Sequence, residues 1–256
     1  VPAGLYYDQR LLTLRRGKPV PLTVAGITVW YDGADPSTWF QDPARTTPAS
    51  ANGDVVGGLR DKSGLGNHAS QATVAKKPTL ALATQNGLAA LQGDGTDDGL
   101  VVPDAAWPAG ERSMFIVASY GGASGYSYSW GRNAAIAGSL GITRDGGAGW
   151  SDSLVNASLN HVYGAGWRVE SWIFQTEPHG ATHVWKNAGS PYASAYGFTL
   201  AAGTNNSPGI FGRANGVGSF DNCMAGYIGE VIAYSRALAT AERQTIETYL
   251  RGKWGL

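Results

Sequence analysis

Glycine-centred turn clusters break the chain into short segments and constrain its fold more than any other feature. They fall at Gly64-Leu65-Gly66-Asn67, Asn86-Gly87, Gly93-Asp94-Gly95, Gly121-Gly122, Gly146-Gly147 and Asn215-Gly216. Gly and Asn tolerate backbone angles other residues avoid, so such clusters mark reversals. The segments between them read as strands. Met114-Phe115-Ile116-Val117-Ala118 is a continuous apolar run, the pattern of a strand covered on both faces. Val169 to Gln175 puts Trp172 and Phe174 on one face, and Thr182 to Lys186 alternates before the turn signal Asn187-Ala188-Gly189. Ile210-Phe211-Gly212 and Tyr227 to Tyr234 are further strands. Many short strands at such spacing predict an all-β sandwich or barrel. One segment is helical. Ile246, Tyr249 and Leu250 form an apolar stripe within 240–252, with Thr240 as N-cap, Glu242 in the first turn, Arg251 and Lys253 at the end, and Gly252 closing it. Trp254 and Leu256 are expected to fold back onto the sandwich.

The 256 residues suffice for one large β-domain. Residues 1–27 differ from the rest. Arg10, Arg15, Arg16 and Lys18 oppose only Asp8, and Pro19 and Pro21 separate the stretch from the first strand. The segment reads as an extended basic arm, either padding the edge of the main domain or docking onto a neighbouring subunit. Charged residues are only 15% of the chain, against about 25% in an average soluble protein. Net charge is zero, which removes the electrostatic term that dominates nucleic-acid binding and argues against adhesion to anionic membranes. No run of 18 apolar residues occurs, so no membrane insertion is expected. Cys223 is the single cysteine, which excludes an internal disulfide framework and favours assembly in a reducing compartment. The chain opens on Val1 rather than Met, and residues upstream are expected.

Four segments together resemble the laminin-G-like group of concanavalin A-like jelly-roll domains. They are Val29-Trp30-Tyr31-Asp32-Gly33-Ala34-Asp35; Asp61-Lys62-Ser63-Gly64-Leu65-Gly66-Asn67-His68-Ala69-Ser70-Gln71 with Lys77-Pro78-Thr79; Asn86-Gly87-Leu88-Ala89-Ala90-Leu91 with Asp94-Gly95-Thr96-Asp97-Asp98; and Gly226 to Leu238 running into the helix and ending at Lys253-Trp254-Gly255-Leu256. The resemblance covers residues 28–256, and the last segment is its most specific part. Residues 121–165 match nothing in it. The cap departs too, since the family usually has Ser or Thr directly after the Leu, where this chain has Ala239. The resemblance implies an antiparallel β-sandwich of jelly-roll type with one C-terminal helix.

Physics accounts for several of these residues. Asp61 can accept N–H bonds from residues two or three further on and fix an Asx-turn. Strict alternation places Glu230 on the face of Ile228 and Ile232, where a carboxylate needs a partner, an arginine or backbone N–H groups.

Chemistry is harder to find. The glucanase branch of the fold carries Glu-x-Asp-x-x-Glu on one strand, and none of Glu111, Glu170, Glu177, Glu230, Glu242 or Glu247 is followed two places later by Asp. The Arg-x-Glu-x-Arg and Gln-x-His patterns of the alginate-lyase branch are missing, as is the Gly-x-Ser-x-Gly nucleophile elbow. No catalytic activity is therefore expected, although glycosidase carboxylates can come from different strands. His179 and His183 would lie about 13 Å apart on a strand, too far to share a metal. Asp94, Thr96, Asp97 and Asp98 form an oxygen-rich turn, but it lacks a bidentate Glu at loop spacing, so neither metal nor cofactor is assigned.

The strongest binding feature is aromatic. In Gly125-Tyr126-Ser127-Tyr128-Ser129-Trp130-Gly131-Arg132, a strand would line Tyr126, Tyr128 and Trp130 on one face and small hydroxyls on the other. Flat aromatic rings stack on the C–H face of a sugar, and their polar tips bond hydroxyls. Trp150 and Trp167 lie in nearby Gly-rich segments. The same stripe could instead pack into the core. Domains of the resembled group are common in bacteriophage structural proteins. The resemblance therefore implies a non-catalytic virion component, concerned with decoration or host attachment, that binds glycans or contacts other subunits through its arm. The alternatives are a secreted bacterial carbohydrate-binding module or adhesin at the cell surface, and a polysaccharide hydrolase or lyase with an unrecognised site.

Overall fold

The computed structural model describes residues 19–107, 110–121, 127–132, 141–144, 166–175, 181–186, 192–193, 208–214, 219–221 and 223–256. The helices are α1 (Val20–Thr23) and α2 (Thr240–Trp254). The strands are β1 (Ile27–Asp32), β2 (Trp39–Phe40), β3 (Gly58–Leu59), β4 (Ala69–Ser70), β5 (Thr79–Gln85), β6 (Leu88–Asp94), β7 (Leu100–Val101), β8 (Arg112–Tyr120) and β9 (Ser127–Arg132). They continue with β10 (Gly141–Arg144), β11 (Gly166–Gln175), β12 (Ala181–Lys186), β13 (Tyr192–Ala193), β14 (Gly209–Ile210), β15 (Arg213–Ala214), β16 (Phe220–Asp221) and β17 (Ala225–Tyr234).

Among the described residues these strands form two sheets. The first runs β13-β12-β11-β8-β17-β6-β5, with β1 also paired to β17. The second runs β16-β15-β9-β14-β7-β4-β3-β2, with β10 also on β9. Pairing is antiparallel throughout, except that β15 lies parallel to β9. The fold is the expected all-β sandwich with one C-terminal helix. Between the sheets lie Tyr31, Trp39, Leu59, Leu100, Met114, Ile116, Ala118, Trp172, Phe174 and Ile210, all buried. The opposite face of the first sheet carries Trp30, Ala90, Phe115, Val117, Val169, Ile173 and Ile232, and α2 covers it with Ile246, Leu250 and Trp254. The central strand β8 thus alternates between two buried faces, which explains its unbroken apolar run. Each large side chain so buried contributes about 1.5–3 kcal/mol. Trp172 and Phe174 share the inter-sheet face as expected.

Local signals set the connections. Asn86 and Gly87 both have positive φ, 50° and 73°, the I′ turn that joins β5 to β6. The same hairpin caps the far end of α2: Gln85 Nε2 donates to the Trp254 carbonyl and Asn86 Nδ2 to that of Lys253, each at 2.9 Å. Helix carbonyls left without intrahelical partners are satisfied in this way. The helix runs two residues beyond its expected end at Gly252, because Gly255, at φ 67°, adopts the left-handed conformation that closes it. Nor is Thr240 the N-cap. That position is Ala239, whose N–H donates to Glu242 Oε2 at 3.0 Å, while Arg236 forks onto the same carboxylate. The arm assigned to residues 1–27 lies outside the described residues up to position 18. From Pro19 it turns through α1, and Val20, Leu22 and Val24 pack with the α2 side of the first sheet.

Candidate functional site

The aromatic segment is placed in part. Tyr128 and Trp130 belong to β9, in the interior of the second sheet, hydrogen-bonded to β14 and β10. Trp130 stands opposite Ile210, which in turn stands opposite Leu100. The pairing with β10 slips by one residue between Trp130 and Tyr128, so the plain alternation expected there is interrupted at Ser129. Tyr126 and Trp150 lie outside the described residues, as does His179.

The polar motifs of the resembled family come together around β1. Asp61 is almost enclosed and accepts four bonds, from the N–H of Trp30 (2.9 Å) and Ser63 (2.8 Å), the Ser63 hydroxyl (2.6 Å) and the Asn67 N–H (3.0 Å). Asn67 Nδ2 donates to the Thr28 carbonyl at 2.8 Å. The expected Asx-turn is present, and it also clips the loop to β1. Lys62 bridges Asp32 and Asp35, at 2.7 Å each, with its ammonium 4.5 Å from the Trp30 ring centre.

Glu230 is the centre of this cluster. It is 1% exposed and accepts from Trp30 Nε1 (2.7 Å), Lys253 Nζ (2.8 Å), Trp254 Nε1 (3.0 Å) and the Tyr249 hydroxyl (3.1 Å). In place of the expected arginine or backbone N–H groups, the donors are a lysine, two indoles and a phenol. Its face also differs. Ile228 pairs with Ala118 and Glu230 with Val117, so Gly229 is a bulge, and Ile228 joins the inter-sheet core while Glu230 turns with Ile232 toward α2. Gly229 is required there, since a Cβ on it would lie 2.5 Å from the Trp254 ring. Burial pushes the Glu230 carboxyl up against the pull of Lys253. Burial acts on Asp32 in the same sense, but Lys253 and Lys62 outweigh it and hold that carboxyl below its usual range. Two carboxylates thus share the ammonium of the part-buried Lys253, which docks the helix end onto β1 and β17.

Two further groups of charges carry no assignment from the sequence. Arg168 and Glu170 form an ion pair at 2.7 Å, each at most 1% exposed, with the guanidinium 4.2 Å from the Tyr120 ring centre. Enclosed and mutually neutralised, the pair presents no open acid or base. Asp94, Asp97 and Asp98 place carboxylate oxygens within 4.8 Å of one another, close enough to share a cation. Burial, together with the charges of Asp94 and Asp97, pushes Asp98 up to about 6, against the N–H bond it accepts from Asp94.

Two packed sheets, a covering C-terminal helix and the loop staples define an all-β sandwich. Neither a family model nor a curated protein sequence matches the chain. Solved structures do. A Trypanosoma rangeli sialidase in complex with 2,3-difluorosialic acid matches at TM-score 0.57 and 15% identity, over 91% of this chain and 34% of that one. Domain 4 of an extracellular arabinanase from Geobacillus stearothermophilus, in complex with arabinotriose, matches at TM-score 0.51 and 16% identity, over 87% of this chain and 98% of that one. The chain therefore spans about a third of the sialidase but nearly the whole arabinanase domain. At these identities the likeness is one of fold.

Proposed function

We propose that this chain is a non-catalytic recognition domain of the laminin-G-like, concanavalin A-like group. It binds glycans through Tyr128 and Trp130 on β9, with Tyr126 and Trp150 beside them, and it is carried on a bacteriophage virion by its basic N-terminal arm. What supports the glycan reading is the sandwich fold shared with the arabinanase domain; residues 127–132 are extended as β9, with Tyr128 and Trp130 on either side of the slip at Ser129. The arabinotriose held by the arabinanase domain of similar fold and length supports a saccharide as the ligand class. The virion assignment rests on the family resemblance and on the arm.

A glycan array tests the reading. The expected result is binding to at least one glycan, lost on Trp130→Ala while the circular-dichroism spectrum and melting temperature are kept. Binding that survives Trp130→Ala and Tyr128→Ala together would move the site elsewhere. Absence of binding to every glycan would refute glycan recognition. A second reading, a secreted carbohydrate-binding module or adhesin, draws on the chain's matching about a third of a larger sialidase. Co-purification with phage particles that is lost on deleting residues 1–18 separates the two.

A further inference from the structure

A transverse row of the first sheet runs past the C-terminal end of α2, whose last residue, Trp254, borders it. Trp167 pairs with Ser119, Ser119 with Tyr227, Tyr227 with Gln92, and Gln92 with Thr79. Directly paired residues share a face, so these five side chains stand on one side of β11, β8, β17, β6 and β5. That side is the α2 side, where Trp167 and Tyr227 border the cluster containing Trp254. Further along the same strands Ala90, Val117 and Ile232 are buried beneath the helix. In the row itself Gln92 is exposed, and Trp167, Ser119, Tyr227 and Thr79 are half-buried.

The aromatic members form a ledge. Tyr227 lies within 24° of parallel to Trp167 at 5.9 Å between ring centres, and Trp254 within 17° at 5.5 Å. Trp254 is fixed in turn by its indole bond to Glu230, so the ledge is anchored to the buried cluster. Two residues along the strands, Gly121 and Ala225 add almost no bulk beside it. A row of two half-buried rings, two hydroxyls and one exposed amide carries no formal charge. Aromatic area left in contact with water adds little to folding, whereas the part-exposed surface of stacked rings flanked by neutral donors and acceptors matches the C–H groups and hydroxyls of a sugar.

We infer that Trp167, Tyr227, Ser119, Gln92 and Thr79 form a second saccharide-binding subsite, on a different sheet from β9, that takes an uncharged sugar. The ligand class rests on the glycan reading of the domain; the location does not depend on β9. The test is isothermal titration of the full chain with arabinotriose, xylohexaose and maltohexaose, and with 3′-sialyllactose as the charged comparison. The expected result is a neutral oligosaccharide whose affinity falls about ten-fold or more on Tyr227→Ser and Trp167→Ala, and measurably on Gln92→Ala. Binding at the ledge persists in Trp130→Ala. Gln92 is exposed, so its variant reads the site without threatening the fold. Neutral-sugar binding that is unchanged in Gln92→Ala and Tyr227→Ser but abolished by Trp130→Ala would overturn the ledge and leave the glycan reading standing. Binding of 3′-sialyllactose alone, lost in Trp130→Ala, would do the same. Absence of binding to all four sugars would overturn the ledge, and the array then decides the broader reading.

Discussion

Replacing Glu230 with Ala should destabilise the protein far more than loss of a surface carboxylate would. The side chain is 1% exposed and accepts from the indole N–H groups of both Trp30 and Trp254. Each buried donor left without an acceptor costs about 1–3 kcal/mol. Tyr249 loses a bond as well, and Lys253 retains only Asp32 as an anionic partner. Against this, removing a carboxylate that burial strains gives some free energy back. The net loss should be about 3–5 kcal/mol, the range for breaking one side of a buried ion pair. For a domain of this size that lowers the melting temperature by about 6–20 °C. Glu230→Gln keeps the shape and one acceptor oxygen, so about half that loss is expected. Urea unfolding followed by tryptophan fluorescence measures both. A loss below about 1 kcal/mol for Glu230→Ala would refute the view that this carboxylate docks the helix.

Three further outcomes rest on the same geometry. Gly229→Ala pushes a Cβ into the Trp254 ring and should cost about 2–3 kcal/mol in the same assay; an unchanged midpoint would mean that the bulge is not tightly packed. Asp98 has a raised folded pKa, so its contribution to stability is present below the ordinary value of 3.8 and is lost as pH rises through about 6. Asp98→Asn should therefore flatten the pH profile between 4 and 6 and exceed the parent in stability at pH 7 by about 1–2 kcal/mol; a parent profile that rises over that interval contradicts it. Glu242 shows the opposite sign, its bonds from Arg236 and the Ala239 N–H holding it down at about 2. The parent should lose stability as pH falls from about 4.5 toward 2, and Glu242→Gln should lack that acid limb; identical acid unfolding of the two proteins would count against the cap.

Much of the scaffold could be read before any coordinates. The apolar run at 114–118, the shared face of Trp172 and Phe174, the Asn86-Gly87 reversal and the Asp61 turn each depend on neighbours within a few residues, where periodicity and backbone preference decide the outcome. What escaped depends on distant contacts. Alternation put Glu230 beside Ile228, but one extra residue at Gly229 reverses the faces, and only the pairing with β8 reveals it. The donors to Glu230 come from Trp30, 200 positions away, and from a helix end that runs past Gly252. The Trp167–Tyr227 ledge arises from cross-strand register, which no local pattern encodes. Of the aromatic residues that the sequence singles out as a binding surface, Tyr128 and Trp130 fall on β9.

The account turns on recognition of sugar without chemical change to it. Saturation-transfer difference NMR on the intact protein, with the best glycan from the array and spectra repeated over a day, tests this most directly. The account predicts transfer to the C–H protons of the sugar, reduced in Trp130→Ala, and anomeric signals that stay constant throughout. New anomeric or unsaturated-sugar signals produced by the protein, or no transfer to any glycan, would contradict it.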